Sequence, residues 1–158
     1  MNNTIKISVN VIGTFRDART GKITDRFEKH NLAVNTGLYS IAARLAGVDI
    51  PANKKGTITY CALGDDGTAA AADQTKLLGE IFRKQVSVRS STLGVATFRT
   101  YFNTSEANDT LLEAGLFGDD ASATTDSGTL FCRLVINKTK TDAESLTLDW
   151  EVTISADV

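Results

Sequence analysis

The chain has a single histidine, His30, and that scarcity removes two kinds of chemistry. A histidine-based metal cluster is excluded, and a Ser-His-Asp triad would have to use this one ring beside Lys29 and Asn31 at an expected strand end. Only two cysteines occur, Cys61 and Cys132. Neither has metal-ligand spacing and both fall in apolar runs, so free buried thiols are expected in place of a disulfide. No apolar run approaches the roughly 20 residues that a membrane helix requires. The opening MNNTIKISVNV alternates too strictly for a signal-peptide core, so synthesis in a cytoplasm is expected. Neither sign of charge dominates: 17 Lys+Arg stand against 19 Asp+Glu, a net charge of -2. That balance gives no general attraction for nucleic acid or an anionic membrane. Asp65-Asp66-Gly67 and Asp119-Asp120 lack the ordered ligand spacing of a calcium loop, and Gly64 and Gly67 form no phosphate motif. The expectation is therefore a chain with no catalytic residue, no metal, no cofactor, no nucleic acid and no membrane partner.

What is present is alternation. Ile5, Ile7, Val9 and Val11 alternate with polar residues at the period of a strand with one dry face. The turn DARTGK, from Asp17 to Lys22, should return the chain as a hairpin through Ile23 to His30. Leu38, Ile41, Ala42 and Leu45 follow helical spacing, with Asn35 or Thr36 able to cap the start and Gly47 the end. The only proline marks a loop over 48–56 (VDIPANKKG), and a strand follows through Tyr60 to Gly64. Leu77, Leu78 and Ile81 suggest a second short helix capped by Asp73. Further strands are expected through Val86 and Val88, over Ala96 to Phe102, Thr110 to Phe117, Thr129 to Ile136 and Leu146 to Ile154. The fold class is mainly β: an antiparallel β-sandwich of about eight strands with one or two short helices and an N-terminal β-hairpin. Its 158 residues divide into a hairpin over 1–31, a possible arm, and a β-sandwich domain over 32–158.

Several charged residues invite structural roles. Glu80 and Arg83, three apart, can pair locally. Glu113, in a leucine-rich strand, calls for an arginine among Arg83, Arg99 and Arg133, and the pair Glu113 with Arg83 is the expectation. Trp150 and the phenylalanines follow strand alternation and belong to the core. Contact with other proteins is expected at exposed edge and loop positions: Lys6, Arg16, Arg19 and Lys22 on the hairpin, and Asp119, Asp120, Thr124 and Asp126 on the loop of small and acidic residues from Gly118 to Gly128.

An ordered set of short motifs then carries a resemblance. His30-Asn31-Leu32 is followed by Asn35-Thr36-Gly37-Leu38 opening the helix, YCALG (60–64), LGEIFR (78–83), Glu106-Ala107-Asn108, EAGLF (113–117) and GTLFCR (128–133). This order resembles small structural proteins of tailed-bacteriophage virions, and in particular the N-terminal domain of phage tail-collar fibre proteins, over residues 30 to 155. The resemblance implies a non-enzymatic virion component, made in the host cytoplasm, that binds other virion proteins at the tail, baseplate or fibre attachment point. A homo-oligomer, with a trimer as one form, goes with it. The alternatives are a capsid decoration (cement) protein bound to the major capsid protein, and a carbohydrate-binding module with exposed Tyr39, Tyr60 or Tyr101 on one flat face. If the hairpin is an arm, its removal should leave a soluble fold that no longer enters particles.

Overall fold

The structure, a computed structural model, describes residues 4–48 and 57–157. Most of the loop expected over 48–56 lies outside the described residues. The elements in chain order are β1 (Thr4–Asp17), β2 (Ile23–Ala33), α1 (Asn35–Ala46), β3 (Tyr60–Gly64), β4 (Glu80–Gln85), β5 (Val88–Thr92), β6 (Val95–Phe102), β7 (Thr110–Gly118), β8 (Thr129–Thr139) and β9 (Glu144–Asp157). The mainly β, antiparallel class is as expected. The strands form one curled nine-stranded sheet of order β4-β3-β7-β8-β2-β1-β9-β6-β5. It is closer to a half-barrel than to two separate layers.

The curl comes from alternation meeting one shared core. Ile7, Val9, Val11 and Phe15 of β1 lie opposite Ile154, Val152, Trp150 and Leu146 of β9, and Phe98 and Phe102 of β6 continue the same inner face. From the other half, Cys61, Leu63, Ala114, Leu116, Cys132 and Leu134 enter the same cluster. Burial of this continuous apolar face is the main force bending the sheet. Across the closure, Phe82 of β4 meets Phe102 of β6 edge to face, with ring centroids 6.0 Å apart, a favoured aromatic geometry. Gly13 on β1 leaves space for the Phe27 ring, which lies where a β-carbon would stand.

Three expectations change. The hairpin β1–β2 exists, but it is no separate arm: β1 lies between β2 and β9, pairs with β9 from Thr4 to Asp17, and places Val9, Val11 and Phe15 in the core. Its removal would take out a central strand. The short helix expected around Leu77 to Ile81 is absent; Leu77 is a buried loop residue and Glu80 begins β4. A three-residue apolar set is too short to separate helix from strand, and pairing with β3 decides it. In α1, neither Asn35 nor Thr36 caps; Val34 is the N-cap residue. The Thr36 hydroxyl instead donates to Leu130 O at 2.7 Å. Gly47 does close the helix, in the left-handed conformation at φ 65° that its missing β-carbon allows.

Candidate functional site

Four charged motif residues, Glu80, Arg83, Glu113 and Arg133, converge on the outer face of β4-β3-β7-β8. Cross-strand registry sets them in rows: Glu80, Gly64 and Glu113 in one, Arg83, Ala62, Gly115 and Arg133 in the next. Glu80 and Arg83 are three apart on a strand and should face opposite ways. A bulge resolves this, because Leu63 pairs with Phe82 while Gly64 pairs with Glu80, leaving Ile81 as the extra residue. Small residues between the charges make room. A β-carbon at Gly64 would collide with the Glu113 carboxylate, and one at Gly115 would press on Leu77 and Leu130.

Each charge is held by several partners. Glu113 pairs with Arg133, Nε to Oε2 at 2.5 Å, with both side chains fully buried. The expected partner Arg83 instead pairs with Glu80, also 2.5 Å. The Glu113 carboxylate further accepts the Gly79 N–H at 2.6 Å and the Leu78 N–H at 3.2 Å. The Arg133 guanidinium donates to Thr68 O, Asp66 O and the Gln74 side chain. The pair therefore fastens the segment 65–79 over the sheet, with Leu77 packed against Ala62, Phe117 and Leu130. Arg83 does the same for 118–128: it donates to Ser122 O and Ser127 O at 3.0 and 2.9 Å and lies over the Phe117 ring at 4.7 Å. Such charge-assisted, multiply bonded groups fix geometry, and their bonding capacity is spent on the chain's own loops.

The expected contact residues are scattered. Lys6, Arg19 and Lys22 are exposed. Arg16 donates to Gly21 O at 3.1 Å and closes the hairpin turn. Of the long loop, Asp126 pairs with Lys76 at 3.1 Å, Thr124 and Asp120 are exposed, and Asp119 turns inward at φ 60° toward the Ser40 hydroxyl. His30 is exposed on the outer side of β2. Tyr39, Tyr60 and Tyr101 sit on α1, β3 and β6, and Tyr60 lies beneath Arg83, so the three form no shared platform. Cys61 and Cys132 are free and buried. Burial pushes the Cys61 thiol up to about 12, against the pull of the Thr100 hydroxyl and the Trp150 indole, and raises Cys132 as well.

One feature has little trace in the sequence, an apolar mouth at one end of the curl. A hollow of about 450 Å³ opens between Ile58 and the strand pair β5–β6, over Ala96 and Phe98. A second, of about 240 Å³, lies under α1 between Ile41, Leu45 and Phe131, and the two share Ile58. Arg89 and Arg44 are the charged side chains among their described linings. Nearby, Leu93 is 99% exposed at the β5–β6 turn, with φ 48°. The one available signal was Leu93-Gly94, a leucine where Asn-Gly is the favoured turn pair.

The fold and this surface define a mainly β unit whose motif charges brace its own loops and whose apolar side chains open at one end. Comparison with protein-family models, with curated proteins and with solved structures gives no match.

Proposed function

We propose that this chain is a non-enzymatic structural component of a tailed-phage virion that binds other virion proteins at the tail, baseplate or fibre attachment point. One observation carries the reading: the motifs that resemble the collar-fibre domain assemble into a single connected unit. ALG ends β3, Glu80 and Arg83 brace β4, EAGLF is β7, GTLFCR is β8, and α1 rests on β8 so closely that a β-carbon at Gly37 would strike the Phe131 backbone. A rigid platform with exposed Leu93 and Leu45 suits packing against neighbours. The scattered tyrosines give the carbohydrate-binding alternative no support, while a capsid decoration role differs only in where the chain sits.

Purified particles decide the matter. Mass spectrometry should detect the chain at a fixed stoichiometry, and an electron-microscopy reconstruction should hold the nine-stranded unit at the tail or its attachment. Density at the head lattice would transfer the chain to the decoration role. Particles complete without it would defeat the proposal.

A further inference from the structure

The edge strand β5 offers a place for one more strand. β4 runs into β5 through Val86 and Ser87, and the chain changes partner between these two residues: Val86 N–H donates to Thr59 O, beside β3, and Ser87 N–H donates to Arg99 O, on β6. Beyond that bend β5 parts from Ile58, and the larger hollow fills the gap. All five residues of β5 are exposed, and its side away from β6 has no strand among the described residues. Arg89 lies opposite Phe98 and Ser91 opposite Ala96, so both face the inner side with the apolar floor. Arg89 reaches over the gap to Ile58 O at only 3.4 Å.

We propose that β5 and this cleft bind an extended segment of a partner protein as an added strand, its inward side chains apolar over Ile58, Ala96 and Phe98 and one of them acidic against Arg89. Main-chain bonds to a free edge supply affinity, and alternate side chains supply selection. The acidic preference follows from the described linings, where Arg89 and Arg44 stand without a counter-charge. A second copy of β5 suits the edge poorly. Two-fold pairing centred on Ser90 makes the two Arg89 side chains diagonal neighbours on one face, where like charges repel. The inference rests on the proposed function only in taking the partner to be a protein.

The test is fluorescence anisotropy of the intact chain with a labelled seven-residue peptide, threonine at odd positions and valine, glutamate and valine at even ones. The glutamate peptide should bind about tenfold tighter than its lysine counterpart. Arg89→Glu, with an unchanged circular dichroism spectrum, should reverse that order, and N-methylation of alternate peptide amides should abolish binding. Equal binding of both peptides, binding that survives N-methylation, or no effect of Arg89→Glu overturns the proposal. So does self-association of the chain that leaves the peptide unbound. None of these readouts needs a particle, so a failed virion assignment leaves them intact.

Discussion

At Glu113 a carboxylate has been taken wholly out of water, which is tolerable only because an arginine and two backbone N–H groups surround it. Removing its charge leaves Arg133 buried without a counter-ion. Glu113→Gln should therefore cost about 3–5 kcal/mol, read as a lowered urea midpoint with little change in slope. Replacing both residues by apolar ones should not restore stability, because Leu78 and Gly79 would lose their acceptor and Thr68 and Asp66 their donor. Leu93 is the opposite case: a branched side chain held at positive φ with nothing to pack on. Leu93→Asn should stabilise the fold by about 1 kcal/mol, visible as a raised melting temperature. The sequence showed that Glu113 needed an arginine but not which one. Three candidates lie on three different strands, and only the registry of β7 with β8 brings Arg133 alongside.

Individual elements were legible where a period ran long enough. Strands β1, β6 and β9 follow their alternation, and α1 forms and stops at its closing glycine, although Leu38, Ala42 and Leu45 are exposed and its buried residues are Gly37 and Ser40. β4 was misread because Leu77, Leu78 and Ile81 straddle a loop and a bulge, and a bulge breaks the very alternation by which strands are recognised. The loops were misjudged for a related reason: 118–128 looks structureless by composition, yet Arg83 and Ser127 tie it down through contacts set by β4. Contacts between elements also set the response to acid. The Lys138 ammonium beside Asp25 holds that carboxyl below its usual 3.8 and ties β2 to β8. Burial raises Glu106, but hydrogen bonds from Lys84 and the Asn103 N–H outweigh it and leave the group lowered. Asp17 and Asp66 are lowered by hydrogen bonds within their turns, from Thr20 and Thr68 first. For all four, the native state binds protons less readily than the unfolded chain, so their contribution is complete above about pH 5 and disappears as pH falls through the lowered native values. Urea midpoints should be level from pH 7 to 5 and fall steadily from 4 to 2. Midpoints unchanged down to pH 2 would contradict the assignment.

For the molecule as a whole, strand order was beyond reach of the sequence, since alternation says which face is dry but not which strand lies alongside. The order that results joins two half-sheets at two narrow seams. One is β2 against β8, with only Leu32 opposite Arg133 and Ala33 opposite Cys132; the other is the bend at Val86 and Ser87. So little strand pairing at the seams would let the halves unfold separately if each had its own core. They share one: Trp150 of β9 and Cys61 and Cys132 of β3 and β8 belong to the same buried cluster. Opening either half strips apolar cover from the other, so the molecule should unfold in one step. Two probes test this from opposite halves. Trp150, the only tryptophan, reports β9 by fluorescence, and Cys61 and Cys132 report β3 and β8 by reaction with a thiol reagent. Burial raises the pKa of both groups, so the thiols stay protonated and silent at pH 8 until the core opens. Both signals should follow one urea transition with the same midpoint, whereas thiols that react well before the tryptophan is exposed would mean that the seams, and not the core, govern stability.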